Sequence, residues 1–324
     1  MKVNQNDVIV SICCITYNHV FYIRNAIEGF LMQKTTFPIE ILIHDDASTD
    51  GTEEIIREYE AKYPELIKPL YETENQWIKG RRGSMIFNFP RASGKYIALC
   101  EGDDYWTDPY KLQKQVDILE ANNAVSVCVH DYLDYDEAEG KFLGRHNAIL
   151  AQEGDLLEFQ TYRFDIWIYQ PLTCMIRSSC LVGIDSSPFK YWRDIHLFYI
   201  LSRRGKVCYL NECMGVYRHH KQGMHQSMSE DNRRDISLKI WCELGIYFND
   251  DKHIRYNFYN ELTKEIIYLI RYFLFGLKKV AVLWGKSFSI SFFRTFFFPI
   301  MFICNLFFKS IMKYLKGILK GDQI

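Results

Sequence analysis

The sequence predicts an α/β fold: a mostly parallel sheet sandwiched by helices, with a helical C-terminal extension of different character. Three observations predict it. Short, continuous apolar runs recur at residues 8–15, 39–43 and 96–100, the pattern of strands buried on both faces. Each run breaks off into polar or acidic residues and is followed by helical periodicity, the alternation that builds a parallel sheet with covering helices. From residue 264 onward the chain carries ten Lys/Arg against Glu265 and Asp322, a net +8, whereas the residues before it carry 29 bases and 38 acids, a net −9.

The elements follow in order. Val8-Ile9-Val10-Ser11-Ile12-Cys13-Cys14-Ile15 is the first strand, and Thr16-Tyr17-Asn18 ends it. Apolar residues at 23, 27, 30 and 31 give an amphipathic helix with Asn18 near its start. Ile39-Glu40-Ile41-Leu42-Ile43 is the second strand and runs into His44-Asp45-Asp46-Ala47-Ser48-Thr49-Asp50-Gly51-Thr52. Asp50 and Glu53 have the spacing of a capping box for a helix that reaches about Tyr63-Pro64. The third strand, Tyr96-Ile97-Ala98-Leu99-Cys100, ends in Glu101-Gly102-Asp103-Asp104. Asp108-Pro109 then caps and opens a helix with Leu112, Val116 and Leu119 on one face.

Parallel sheets bind ligands outside the carboxyl ends of their strands, and all three polar clusters occupy that position. Glu101, Asp103 and Asp104 crowd three carboxylates into four residues, which is costly without a cation. Hard oxygen donors suit Mg²⁺ or Mn²⁺ bridging to substrate phosphates. The same residues also read as a solvated acidic turn before a capped helix. Asp45 has a parallel pair of readings: a turn carboxylate bonded to the local backbone, or an acceptor for the N3–H of a pyrimidine base.

Three motifs in order, Thr16-Tyr17-Asn18, His44 to Thr52 and Ser93 to Trp106, resemble glycosyltransferase family two. The resemblance covers roughly residues 8 to 225 and implies the GT-A fold and inverting sugar transfer. It implies that Thr16, Tyr17, Asn18 and Asp45 line the nucleotide base. Glu101 and Asp103 take the ends of the D-x-D motif, with Asp103 as the main metal ligand and Asp104 orienting the site. Glu101 departs from the Asp of many relatives, keeping the charge but lengthening the reach. The implied cofactor is Mn²⁺ or Mg²⁺, and the implied donor is a nucleotide diphosphate-sugar, UDP by family habit.

Inverting transfer needs a carboxylate to take the acceptor hydroxyl's proton. Asp194, at the start of an apolar helical pattern about ninety residues after D-x-D, matches the family's catalytic base; a helix cap is its other reading. Arg193 stands where relatives often have Glu. Beyond it, Tyr217-Arg218-His219-His220 resembles the family's final strand and basic loop, which continues to His225. Arg218 suits a diphosphate or acceptor anion, and a His of this loop, His220 favoured over His219, is expected to complete the metal shell or to touch the diphosphate. His19, His44, His130 and His146 receive no role. Trp106 and Trp192 read as core or as acceptor-cleft walls.

The C-terminal region, 226–324, is basic and aromatic. The apolar stretch 287–308 is interrupted by Arg294 and Pro299, leaving too little chain for a span of about 20 residues. It reads as helices lying in the membrane interface, or as a packing surface for the catalytic domain or another subunit. With no apolar leader and ten cysteines lacking any C-x-x-C pair, the chain reads as a cytoplasmic-face, peripheral membrane protein. Zinc is not expected, and the overall charge of −1 argues against a nucleic-acid partner. A lipid-linked glycan in surface-polysaccharide assembly is the acceptor these features imply. The rival from another class is a catalytically inactive scaffold that binds nucleotide-sugar or glycan.

Overall fold

Val10, Ile12, Cys13 and Cys14 have at most 1% of their surface exposed in a computed structural model of the chain, which describes residues 8–80, 83–147, 156–159, 168–223, 227–248, 250–252, 254–264 and 267–268. These four residues lie in β1 (Val10–Thr16), the middle of a parallel group formed with β2 (Ile39–Asp45), β3 (Ile67–Tyr71) and β4 (Tyr96–Glu101). Both neighbours of β1 run parallel to it, and the register pairs Thr16 with Asp45 and Ile15 with Glu101. The three polar clusters therefore emerge side by side at one edge. Burying each Val or Ile contributes about 1.5–3 kcal/mol, so this apolar layer fixes the register.

The helices between these strands are α1 (Ile23–Leu31), α2 (Thr52–Lys62) and the short α3 (Ser84–Phe87). Ile23, Ala26, Ile27 and Phe30 of α1 are fully buried, as the apolar spacing requires. Neither predicted cap forms as read, and both side chains also reach across to a neighbouring loop. Asn18 does not cap α1, whose N-cap is Tyr22; it adopts φ 53°, and its Oδ1 accepts from the Thr49 N–H at 2.9 Å. The N-cap of α2 is Gly51 at φ 103°, and no capping box forms. Asp50 accepts from the N–H groups of Val20 and Thr52, both at 3.0 Å, while Glu53 pairs with Arg57.

Beyond β4 the sheet is not a simple parallel continuation. Its order is β3-β2-β1-β4-β9-β6-β10-β5, including β5 (Tyr105–Trp106), β6 (Val125–Asp136), β9 (Met175–Arg177) and β10 (Lys206–His219). Strand β9 is antiparallel to both β4 and β6, β10 is parallel to β6, and β5 is antiparallel to β10. Two further strands, β7 (Lys141–Arg145) and β8 (Leu156–Phe159), pair antiparallel with β6 and β10. Helix α4 (Lys111–Ala121) begins two residues after Pro109, with Tyr110 as N-cap, and buries Leu112, Val116 and Leu119. Trp106 is core: it is 2% exposed, packs on Phe30, and donates its indole N–H to the Leu172 carbonyl at 2.8 Å. Helix α5 (Asp194–Arg204) packs against β6 and β10.

At the amino ends of the central strands a buried carboxylate stitches the sheet together. Glu40, 2% exposed, accepts from Ser11 Oγ at 2.6 Å, Lys68 Nζ at 2.7 Å, Ser93 Oγ at 2.7 Å and the Ser93 N–H at 2.8 Å. Ser11 in turn accepts from the Gly94 N–H at 2.8 Å. A buried charge with this many partners is structural.

The chain divides into two compact units, Met1–Ser229 and Glu230–Ile324. In the second, α6 (Glu230–Tyr247) buries Leu238, Cys242 and Leu244, and further helix follows at 254–264. Among the described residues no helix is long and apolar enough to cross a membrane. The stretch 287–308 and His225 lie outside the described residues. All nine described cysteines are free.

Candidate active site

The site is built at the carboxyl edge of β2, β1 and β4. The loop after β4 turns at Gly102, and a Cβ there would stand 2.6 Å from Thr16 Oγ1 and 3.0 Å from Ile23 Cδ1. Glycine is required because the acid loop lies directly on the end of β1. The chain then enters β5, which is clipped to β10 through Trp106↔Gly215 and Tyr105↔Val216. The loop is thus held at both ends.

Glu101, Asp103 and Asp104 each offer a carboxylate oxygen, and these oxygens lie within 4.8 Å of one another. Asp103 Oδ2 faces two imidazoles, His220 Nε2 at 3.0 Å and His19 Nε2 at 3.7 Å. Asp104 Oδ1 accepts from the Arg218 N–H at 3.0 Å. Several buried polar atoms here have no hydrogen-bond partner: Asp103 Oδ1, Asp104 Oδ2, Thr16 Oγ1, His19 Nδ1 and His220 Nδ1. Burial, reinforced by Asp103, pushes the Glu101 and Asp104 carboxyls well above the usual range. Burial also acts to raise Asp103, but His19 and the hydrogen bond with His220 outweigh it and hold that carboxyl low.

Arg218 is 8% exposed and engaged within the protein. Its guanidinium donates to the Asp103 carbonyl at 2.9 Å, lies 2.8 Å from Glu137 and stacks over Tyr105 at 4.4 Å. Asp45 has no exposed surface and accepts from the Ser48 N–H and hydroxyl, the turn contact that was one of its two readings. Ser48 Oγ also accepts from the Asn18 N–H at 2.9 Å, so the Thr16–Asn18 and 45–50 loops form one wall on which Tyr17 is 42% exposed. Asp46 extends that wall by accepting from the N–H groups of Gln76 at 2.6 Å and Trp77 at 3.1 Å.

Asp194 reaches the site from the other half of the sheet. It is the first residue of α5, whose N-cap is Arg193; the Arg193 N–H donates to His196 Nδ1 at 3.1 Å. Asp194 is therefore not the cap. Its carboxylate lines a cleft together with Glu101, Trp77, Trp192 and Arg193, and the Arg193 guanidinium stacks on Trp77 at 4.9 Å. Asp194 keeps exposed surface in the cleft, yet the protein packed around its carboxyl raises it above its ordinary range, opposed by Arg193 and His196. Trp192 is a cleft residue, while Trp106 is not. The residue that sequence reading missed is His19. Its signal was position: it follows Thr16-Tyr17-Asn18 in the loop after β1, the strand adjacent to the one that ends in the acidic cluster.

The chain belongs to glycosyl transferase family 2, whose sequence pattern matches residues 11–192. An uncharacterized protein of Mycobacterium tuberculosis is 35% identical over 233 residues, 69% of this chain but only 63% of that protein. The match thus spans less than two thirds of that relative's length. The Escherichia coli enzyme WfgD, a UDP-Glc:alpha-D-GlcNAc-diphosphoundecaprenol beta-1,3-glucosyltransferase, is 25% identical over 285 residues, 86% of this chain and 97% of the enzyme. Among solved structures, Staphylococcus aureus TarS 1-349 in complex with UDP-GlcNAc superposes with a TM-score of 0.51 at 17% identity, over 74% of this chain and 67% of that one. This last likeness is one of fold.

Proposed function

We propose that the protein is a metal-dependent inverting glycosyltransferase that moves a sugar from a nucleotide diphosphate-sugar, UDP-linked, to a hydroxyl of a glycan or lipid-linked glycan during cell-surface polysaccharide assembly. The observation that carries this reading is the convergence of Glu101, Asp103 and Asp104 at the strand edge, with Asp194 and Glu101 lining one cleft. A divalent cation fits the acidic loop, because the buried Asp103 Oδ1 and Asp104 Oδ2 have no hydrogen-bond partner and need a positive charge. Asp103 would be its principal ligand and His220 a further one, with Glu101 alongside. Bound there, Mn²⁺ or Mg²⁺ supplies neutralisation of the charge on the diphosphate leaving group.

The remaining roles belong to the chain. Thr16, Tyr17 and Asn18 face the nucleotide base, and Asp45 shapes that wall by holding the Ser48 turn. Asp104 and Arg218 keep the acid loop in register with β10. Asp194 accepts the acceptor hydroxyl's proton as its oxygen attacks the anomeric carbon from the side opposite the diphosphate. Its raised pKa suits a base that must hold a proton transiently. The acceptor named for the Escherichia coli relative, a sugar on a lipid diphosphate, supports a similar acceptor class here. The basic, aromatic region beyond residue 264 is in keeping with peripheral attachment to an anionic membrane surface at the cytoplasmic face, each base contributing about 1 kcal/mol.

Turnover of UDP-sugars with a lipid-diphosphate-linked acceptor, measured with and without Mn²⁺, tests the reading. Turnover is expected only with the ion. An Asp194→Asn protein working at the wild-type rate removes Asp194 as base.

A further inference from the structure

We infer that His19 is a positioning residue for the Asp103 carboxylate: it steadies one oxygen so that the other is presented to the cation. The inference rests on the metal reading above and assigns a residue to it that lies outside the acidic loop and the basic loop.

A carboxylate rotates freely about its last torsion, so an aspartate is a well-defined ligand only when one oxygen is held. Asp103 is held on one side only. His220 and His19 both direct Nε2 at Oδ2, at 3.0 and 3.7 Å, while buried Oδ1 receives no hydrogen bond. Oδ1 is thus the oxygen left for an ion, beside the carboxylates of Glu101 and Asp104.

His19 is itself rigidly placed. Its carbonyl accepts from the N–H groups of Tyr22 at 2.9 Å and Ile23 at 2.8 Å, fixing it to the head of α1. On either side, Asn18 is locked to Ser48 and Thr49, and the Val20 N–H donates to Asp50. The ring lies edge-on to His220 and Tyr22, with centroids 6.1 and 6.2 Å away. Its side chain is 15% exposed, and its Nδ1 has no partner, so the polar group it faces is Asp103. Because His19 leads into α1 and His220 follows β10, imidazoles from two elements far apart in sequence face Asp103 Oδ2, that of His220 within hydrogen-bond distance and that of His19 in close approach. If His220 serves the ion directly, His19 is the imidazole that continues to face Oδ2.

Outer groups that orient a metal ligand typically change metal affinity 10–100-fold when removed. The test is the Mn²⁺ dissociation constant of the full chain, read from the electron paramagnetic resonance signal of free Mn²⁺ with UDP present. Wild type, His19→Ala and His19→Gln are compared, and UDP affinity without metal is measured alongside. Mn²⁺ binding at least about tenfold weaker in His19→Ala, largely recovered in His19→Gln, with metal-free UDP affinity unchanged, is the expected result. The glutamine amide supplies an N–H donor of similar reach, so rescue separates positioning from packing. Mn²⁺ affinity in His19→Ala within about twofold of wild type overturns the assignment and leaves the metal reading standing. A glutamine variant as weak as alanine also overturns it. A wild-type protein without Mn²⁺ affinity overturns both.

Discussion

The two ends of the same central strands carry buried carboxylates and treat them in opposite ways. At the amino end Glu40 is surrounded by Ser11, Ser93 and Lys68, and four hydrogen bonds satisfy it. At the carboxyl end three carboxylates crowd together, and buried oxygens of Asp103 and Asp104 are left without a donor. Both ends bury carboxylate oxygens, and what separates them is the supply of partners. A folded chain spends stability to keep polar atoms buried and unpaired, and it does so where something else is to be bound. The first end holds the sheet together. On the reading proposed above, the second end is prepared for a ligand.

The largest effect expected from breaking this contrast is on the chemistry. Replacing Asp194 by Asn removes a proton acceptor without changing the cleft's shape. Turnover should fall about 10²–10⁴-fold, with donor affinity in a binding assay close to wild type.

A pair of substitutions, one at each end, sharpens the contrast further. Asp104→Asn removes one of the mutually repelling charges, the one that burial and Asp103 push above its ordinary range. It should weaken Mn²⁺ binding while leaving the metal-free melting temperature equal to or above that of the wild type. Glu40→Gln should do the reverse, costing about 1–3 kcal/mol in denaturant unfolding through its mismatched hydrogen bonds while turnover per folded molecule is retained. Equal effects on stability from both changes would erase the distinction drawn between the ends.

Gly102→Ala attacks the join between β1 and the acid loop. The added methyl group must displace Thr16 Oγ1 or Ile23, at a cost of about 1–3 kcal/mol, and metal affinity should fall with it. Calorimetry and metal titration on one preparation would check both.

The smallest effect is in the acid titration of stability, where the two ends have opposite signs. Glu40 is held below its ordinary pKa: burial acts to raise it, but Lys68, Ser11 and Ser93 outweigh that. It therefore contributes stability that is present above the unfolded-state pKa and lost as pH falls through the folded value. Glu101 and Asp104 are raised, chiefly by burial and then by Asp103, so the native state binds their protons more tightly than the unfolded chain does. Their unfavourable contribution grows as pH rises through the interval between the unfolded and folded values, and acidification relieves it. The stability advantage of wild type over Glu40→Gln should shrink on acidification below the ordinary carboxylate range. The deficit attributable to the acid loop, read by comparison with Asp104→Asn, should shrink as well.

Much of this organisation was legible in the residues. The strands at 8–15, 39–43 and 96–100 were marked by continuous apolar runs, and their polar ends fell at one edge because parallel strands all point the same way. The misread parts depended on distant partners. Asn18 has a cap-forming side chain but uses it across loops, on Thr49, and Asp50 divides its carboxylate between the nearby Thr52 and the distant Val20, which local spacing cannot reveal. The antiparallel insertions β9 and β5, three and two residues long, are too short to leave a pattern. Asp194 was reached through family resemblance, since its own segment reads equally as a helix start. His19 escaped because a lone histidine has no periodicity, and only the adjacency of β1 and β4 brings it to Asp103.

The two-residue clip between β5 and β10 has a consequence for the order in which this protein matures on the ribosome. The acid loop is made early, but its far end is secured only when Gly215 and Val216 have been synthesised and have docked, and Arg218 and His220 arrive later still. A nascent chain that has completed β1 to β4 thus possesses the carboxylates without the frame that organises them. On the metal reading proposed above, affinity for the ion would be acquired only once β10 has docked, so uptake of Mn²⁺ by a refolding chain would report closure of that strand rather than formation of the first sheet.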